Sequence, residues 1–403
     1  MADLLWGRVY YKEHFAGFLR EEPGERTSFA YDETYLDSDN SAIAHTLPKR
    51  EQPYISESGL PSFFDNLVSE GWLEEAQSRF LGKRKATRFE LLLAFGSDCA
   101  GAVSIIDPEP KAFTEALADL SDPKELAVMT SRASLSGVQP KLAIVRRNGK
   151  YLPAKIGELS THIAKFSSKN HDDLVTNEYL TMQAFKALAP KEDIVDLHLG
   201  IIEGAPEEVL IIKRFDRRPD GERFHFEEFN QLLGFPSDAK YEGAHKDMAD
   251  FMAETDGCLP VEIYSLYQRI LAGILLGNTD MHLKNFAMLH TDAGLRLTPS
   301  YDQVAAALYT YQTMALAIGG ARDLRIGDLK ARSLIKMGEE FQLSKEAINM
   351  ANDELADNID AAKEAVYAAD TGSNALKDKL INFMGKRWNG TFALIGKSLS
   401  KKQ

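Results

Sequence analysis

Apolar and polar residues alternate along the first thirty positions. Leu4–Tyr11, Phe15–Arg20 and Arg26–Tyr31 follow the period of two that marks half-buried strands, and Glu22-Pro-Gly-Glu25 supplies a turn between the last two. Three strands without a partner layer are only marginally stable, so this segment must dock on something. The period then changes to helical. Pro61 opens one helical stretch through Phe63, Phe64, Leu67 and Val68, and Leu91, Leu92 and Phe95 mark another before a strand at Ala102–Ile106. After the break Asp107-Pro-Glu-Pro110, strands and helices alternate. Leu142–Arg147 and Lys150–Lys155 flank Asn148-Gly149, whose residues accept the positive φ of a type I′ turn, so a hairpin is predicted. His162–Phe166 reads as a short strand, Leu174–Leu188 as an amphipathic helix, and Val195–Ile202 and Glu208–Lys213 as strands around Glu203-Gly-Ala-Pro206. From about residue 224 the pattern is mostly helical, with Ile263–Leu276, Ile335–Asp353, Ile359–Ala369 and Ala375–Trp388 as helices. The predicted fold class is α+β with two lobes, β-rich first and helical second.

Within the helical half lies Gly277-Asn-Thr-Asp280-Met-His282-Leu-Lys284-Asn285-Phe, followed after a predicted short hairpin by Ser300-Tyr-Asp302. An Asp, an Asn five residues later and a second Asp form the polar set that phosphoryl transfer needs. One carboxylate orients the attacking hydroxyl, while the Asn and the other carboxylate offer hard oxygens to Mg²⁺. His282 and Lys284 sit inside this segment; His282 could be a base or a structural histidine, and Lys284 could neutralise the transferring phosphoryl group.

Three upstream segments fit the same chemistry. Ser134-Leu-Ser136-Gly137-Val-Gln139-Pro-Lys141 is a Ser/Gly loop entering a strand, able to turn backbone N–H groups toward phosphate oxygens or to be an ordinary surface turn. Lys165, in an apolar strand pattern, calls for an acidic or phosphate partner, for which Glu178 near the start of the next helix is a candidate; alternatively Lys165 is an edge-strand lysine and Glu178 a helix-surface carboxylate. Lys213-Arg-Phe215-Asp216-Arg217 ends a strand where adenine could dock, or where a local Asp–Arg pair could sit at the surface.

Composition narrows the classes. The chain has 403 residues, 44% hydrophobic and 27% charged, which suits two or three packed subdomains of a soluble protein. Cys99 and Cys258 are its two cysteines, which excludes a disulfide framework or a cysteine zinc site and fits a cytoplasmic setting. The N-terminus lacks the layout of a signal peptide, and Ile270–Gly277 is too short to span a membrane. The net charge of −13 disfavours broad nucleic-acid binding by the chain itself, although Arg79, Lys83, Arg84, Lys85 and Arg88, and the tail Lys397, Lys401 and Lys402, form basic clusters. These read as solvated helix ends or as a patch for a partner.

Taken together, Ser134-Leu-Ser-Gly-Val-Gln-Pro-Lys, Thr161-His-Ile-Ala-Lys, Asn177-Glu-Tyr, Lys213-Arg-Phe-Asp-Arg, the Asp280 segment and Leu297-Thr-Pro-Ser-Tyr-Asp resemble the HipA family, serine/threonine kinase toxins of bacterial toxin–antitoxin systems. The resemblance implies a protein-kinase-like fold, with residues 1–108 as an N-terminal subdomain, 109–218 as the β-rich lobe of the kinase core and 219–403 as the helical lobe. It implies ATP and Mg²⁺ as cofactors. Asp280, Asn285 and Asp302 would be catalytic, with Asn285 and Asp302 on the metal. Ser136, Gly137, Gln139, Lys141, Lys165, Lys213, Phe215, His282 and Lys284 would surround the nucleotide. It implies autophosphorylation at Ser134 or Ser136, whose added negative charge would expel the loop from the phosphate site. Pro140 departs from many relatives and removes one backbone donor. The expected partners are a small helix-turn-helix antitoxin, operator DNA only through that antitoxin, and a protein substrate such as an aminoacyl-tRNA synthetase, with no membrane. The alternatives are a small-molecule kinase and a catalytically silent nucleotide-binding corepressor scaffold.

Overall fold

A computed structural model describes residues 4–110, 135, 139–155, 157–168, 171, 173–205, 207–218 and 220–400. The chain divides into two compact units. One comprises residues 1–170 and 196–237, the other residues 171–195 and 238–403.

The first unit holds two antiparallel sheets. β1 (Trp6–Tyr11), β2 (His14–Glu22) and β3 (Arg26–Tyr31) are joined by β4 (Tyr54–Ser56) and β5 (Val103–Ile106) in the order β4-β3-β2-β1-β5. Between them run α1 (Glu33–Leu36), α2 (Ser62–Asn66), α3 (Gly71–Phe80) and α4 (Arg88–Phe95). The docking layer that the strands require is here: Val9, Leu19 and Phe29 share one core with Phe63, Phe64, Leu92 and Phe95. Of the basic cluster, Arg79 pairs with Glu75, Lys83 with Glu90 and Arg88 with Asp65, so three of its five charges are met by local carboxylates.

The second sheet contains β6 (Lys141–Arg147), β7 (Lys150–Pro153), β8 (His162–Lys165), β9 (Leu197–Gly200) and β10 (Val209–Lys213), in the order β7-β6-β8-β10-β9. The predicted hairpin turn joins β6 to β7, with Asn148 at φ 50° and Gly149 at φ 79°. Just after β9, Ile202 bridges Tyr151 of β7, and the Glu203 amide donates to the Tyr151 carbonyl at 2.9 Å. The two edges therefore meet, and the sheet curls around Leu142, Ile144, Ala164, Val209 and Ile211. β11 (Phe226–Glu228) and α6 (Phe229–Leu232) complete this unit's elements.

The second unit is helical. It contains α5 (Leu174–Leu188), α7 (His245–Glu254), α8 (Pro260–Leu276), α9 (Ala331–Glu340), α10 (Lys345–Ala368), α11 (Asn374–Gly390) and α12 (Ile395–Leu399), with one hairpin of β12 (Ala287–Thr291) and β13 (Gly294–Leu297). α5 matches its expected span but groups with the helices, because it packs on α8 and α10 and buries Val175, Leu180, Met182, Phe185 and Leu188. The helices expected at Ile335–Asp353 and Ile359–Ala369 divide elsewhere. Gln342 takes a left-handed φ of 59°, and the Ser344 hydroxyl accepts from the Ala347 amide, so a cap stands at 341–344 and α10 runs unbroken through 354–358. Among the described residues no helix is long and apolar enough to cross a membrane.

Candidate active site

α8 ends at Gly277, whose φ of 89° belongs to a left-handed cap. A Cβ there would stand 2.9 Å from the Phe383 ring, so both backbone and packing require glycine. The reversal puts fully buried Asn278 between two segments. Its Nδ2 donates to the Asp302 carbonyl at 3.3 Å and to Gln303 Oε1 at 3.0 Å, and its Oδ1 accepts from the Asp280 amide at 3.1 Å. Asn278 thus clamps the two aspartates' backbones together. Its neighbour Thr279 donates to the Tyr311 carbonyl at 2.8 Å.

The chain then forms one 3₁₀ turn, Leu283–Asn285, capped by His282, whose Nδ1 accepts from the Lys284 amide at 3.3 Å. His282 therefore has a structural use. Lys284 is buried, and its carbonyl accepts from the Tyr301 hydroxyl at 3.0 Å. Asn285 Nδ2 donates to the Asp280 carbonyl at 2.8 Å, which fixes the amide and presents its oxygen as the acceptor end. Asp302 has φ 59°, a left-handed conformation rare outside glycine and concentrated at functional sites.

Asp280 lies close enough to Asp302 to be affected by its charge. Burial first, and repulsion from Asp302 second, push the Asp280 carboxyl up to about 6, against the Tyr241 hydroxyl donating to Oδ1 at 3.2 Å and the charge of Lys240. Tyr241 and the buried Lys240 belong to this neighbourhood and carry no sequence signature. The Tyr241 ring meets the His282 ring edge-on at 5.1 Å, and the Lys240 carbonyl accepts from the Leu283 amide at 3.2 Å. The Asp302 carboxylate and the oriented Asn285 amide oxygen are hard-oxygen donors of the kind that suits Mg²⁺. Asp280, Asn285 and Asp302 are thus brought together. Glu178 is buried on α5, beside Asn177, whose Oδ1 accepts from the Ala305 amide at 3.1 Å.

In the first unit, Lys141 and Lys165 are buried and directly opposite one another across β6 and β8, on one face of the curled sheet. Gln139 Nε2 donates to the Phe166 carbonyl at 2.9 Å, which ties the incoming loop to the end of β8. Lys213 does not join the two lysines. It pairs with His162 in register, and alternation along β8 puts His162 and Lys165 on opposite faces. Phe215 packs on Phe226 at 4.8 Å between ring centroids. Ser134, Ser136 and Gly137 lie outside the described residues.

The surface Asp–Arg pair anticipated at 214–217 is instead a buried ion network. Arg217 Nη2 donates to Asp98 Oδ1 at 2.8 Å and Nη1 to Asp216 Oδ2 at 2.8 Å, while Arg214 Nη2 donates to Asp216 Oδ2 at 2.7 Å and Nη1 to Ser160 Oγ at 2.8 Å. All four charged residues are buried. The network binds the segment at 98–104, next to the first sheet, to residues that follow the second.

Two family models match the chain, the HipA N-terminal domain over residues 7–106 and the HipA-like C-terminal domain over residues 133–363. The chain belongs to the HipA family. This HipA family member is 33% identical over 295 residues to the serine/threonine-protein kinase toxin HipA of Shewanella oneidensis, covering 64% of this chain and 66% of that one. It is 25% identical over 386 residues to Y4mE of Sinorhizobium fredii, covering 89% and 90%. Its fold matches the HipA chain in a solved complex of Shewanella oneidensis HipA, HipB and operator DNA, with a TM-score of 0.73 at 21% identity, over 97% of this chain and 99% of that one. The kinase-like α+β architecture expected from the sequence is therefore the fold of the HipA family.

Proposed function

We propose that this HipA-like kinase transfers the γ-phosphoryl group of ATP to a serine or threonine hydroxyl of a protein, in the presence of Mg²⁺, as the toxin of a toxin–antitoxin pair. The observation that carries the reading is the gathering of Asp280, Asn285 and Asp302 around the Asn278 clamp, with the Asp280 carboxyl raised to about 6. In this reading Asp280 accepts a hydrogen bond from the substrate hydroxyl, orients it and takes its proton. A base with a pKa near working pH is suited to that task. The Asn285 oxygen and the Asp302 carboxylate hold the metal, whose contribution is charge neutralisation on the phosphate oxygens. Lys165 and Lys141 supply positive charge for the phosphate chain, and Lys284 lies in the same turn as Asn285.

The toxin role rests on the relationship to the Shewanella oneidensis toxin. An antitoxin partner, and operator DNA through it, are supported by the HipA–HipB–DNA composition of the solved relative. Transfer of labelled phosphate from ATP into a proteome extract, compared with a panel of small hydroxylated metabolites, tests the substrate class. Protein labelling that disappears in Asp280→Asn, and growth arrest lost in Asp302→Ala, are the expected results. Labelling of metabolites alone would make it a small-molecule kinase. Equal arrest by wild type and Asp302→Ala would leave a non-catalytic scaffold. Phosphoproteomics after a short pulse of expression identifies the target, for which an aminoacyl-tRNA synthetase is the expected class.

A further inference from the structure

The interior of the curled sheet is apolar except at one end. There, at the end away from Lys141 and Lys165, a cavity of about 310 Å³ is lined by Arg146, Tyr151, His162, Asp196, His198 and Lys213. Strand register explains the set. Arg146 is opposite Tyr151, His162 opposite Lys213, and His198 opposite Ile211, all on the inward face, while the Asp196 carbonyl accepts from the Lys213 amide at 2.8 Å. Mouths of closed or nearly closed sheets are common places for small ligands, and this volume is at the small end of that range.

The charge in the mouth is one-sided. Arg146 and Lys213 have no carboxylate partner within ion-pair distance among the described residues; the Arg146 guanidinium lies 5.6 Å from the centre of the Tyr151 ring instead. Two imidazoles flank the same tyrosine, His162 at 5.2 Å and His198 at 5.4 Å between centroids, and the Thr161 hydroxyl stands 2.8 Å from His162 Nδ1. Asp196 is the one acidic side chain in the lining. Burial, and then the charges of His198, Lys213 and Arg146, hold His162 down at about 4. The lining therefore offers two fixed cations and two imidazoles around one tyrosine, and a bound negative charge would raise His162 from its depressed value.

We infer that this mouth is a binding site for a compact dianion, the phosphate or dicarboxylate end of a small metabolite, separate from the phosphate site served by Lys165. The separation follows from the fold, because β8 carries the half-buried His162 on the inward face at one end and Lys165 on the opposite face at the other. The inference does not depend on the kinase reading.

The test is a titration of the full chain with inorganic phosphate and, separately, with succinate, followed at the imidazole proton resonances of His162 and His198. A saturable shift of both resonances is expected with at least one probe, and which probe gives it distinguishes phosphate from dicarboxylate as the recognised group. The shift is expected to persist in Lys165→Met and to need about tenfold more probe in Lys213→Gln or Arg146→Gln, each of which removes one charge–charge contact. Asp196→Asn removes the opposing charge and is expected to tighten binding about threefold, a gain that a misfolded variant does not give. No saturable shift with either probe, a shift lost in Lys165→Met, or unchanged or weaker binding in Asp196→Asn would overturn the inference.

Discussion

The Tyr241 hydroxyl donates to Oδ1 of Asp280 at 3.2 Å, on the carboxylate proposed to receive the substrate's proton. A donated hydrogen bond favours the ionised form, so this contact holds down a carboxyl that burial and Asp302 push up to about 6. The base is active only when ionised. The acidic limb of kcat/KM is therefore expected near or below pH 6, and Tyr241→Phe is expected to move it upward by about half a unit to one unit, because the stabilising donor is gone. The pH–rate profiles of the two proteins decide it. An acidic limb that stays in place would mean that Tyr241 does not act on the ionisation of Asp280.

The same raised carboxyl costs stability. Its folded-state pKa of about 6 lies above an unfolded value of about 4, so the folded chain holds the proton more tightly. Stability from this group is therefore lost as pH rises from about 4 through about 6. Asp280→Asn removes the buried charge and is expected to gain about 1–3 kcal/mol at pH 7.5, seen as a rise of several degrees in Tm, while abolishing phosphoryl transfer. Thermal melts without divalent cation, at pH 7.5 and pH 4, test the sign: the gain should be present at the higher pH and absent at the lower. An equal gain at both would trace it to packing and not to the charge.

Much of this site could be read from the sequence, for reasons that local chemistry makes plain. The Asp280–Asn285 spacing is short, and its partner Asp302 follows one hairpin later, so the gathering needs no long-range information. Asn148-Gly149 encodes its own turn, and α5 keeps its expected span, although Leu174 and Tyr179 of its expected apolar face are only half-buried. What escaped was set by tertiary context. Asp98 and Arg217 are 119 positions apart, and nothing near either residue announces that the other will be buried against it. Tyr241 and Lys240 acquire meaning only when the loop carrying them lies beside the Asp280 turn. Lys213 stands in a family motif with neighbours that are buried, yet alternation along β10 turns it to the mouth of the sheet. The division between α9 and α10 lies at a left-handed Gln342, with no glycine or proline to mark it, and the Ser344 cap is its one local signal.

The buried network offers a test of what holds the first unit together. Burial alone would raise Asp216, and Arg214 and Arg217 outweigh it, holding the carboxyl far below the usual range; Asp98 is lowered in the same way. Breaking a buried ion pair on one side leaves an uncompensated charge, so Asp216→Asn is expected to cost about 3–5 kcal/mol. The stabilisation is present at pH values above the ordinary carboxylate range and is lost as pH falls through the depressed folded values. Urea unfolding followed at Trp6 and Trp72, with Trp388 replaced by Phe, reports on the first unit. Adding Arg217→Met to Asp216→Asn should cost less than the sum of the single changes, since the second removes a charge that the first stranded. Strict additivity would mean that the two side chains are energetically independent despite their 2.8 Å contact.

Lys141 and Lys165 are buried neighbours on adjacent strands, directly opposite one another and so placed to act on one anion. If that anion is a nucleotide's phosphate chain, removing either lysine weakens nucleotide binding. Lys165→Met is expected to raise the Kd for a fluorescent ATP analogue by about tenfold or more, and Lys141→Met by a smaller factor of about three to ten. The double variant carries the sharper test. Both ammonium groups acting on one phosphate would be coupled, so the combined loss should differ from the sum by about 0.5 kcal/mol or more. Affinity unchanged in Lys165→Met would remove the lysine from the nucleotide site, and losses that add without coupling would show that the two strands serve different groups. A smaller loss in Lys141→Met than in Lys165→Met would fit the order in the chain, since Lys141 is the first residue of β6 and follows directly on the loop anchored by Gln139, whereas Lys165 is enclosed between β6 and β10 in the middle of the sheet.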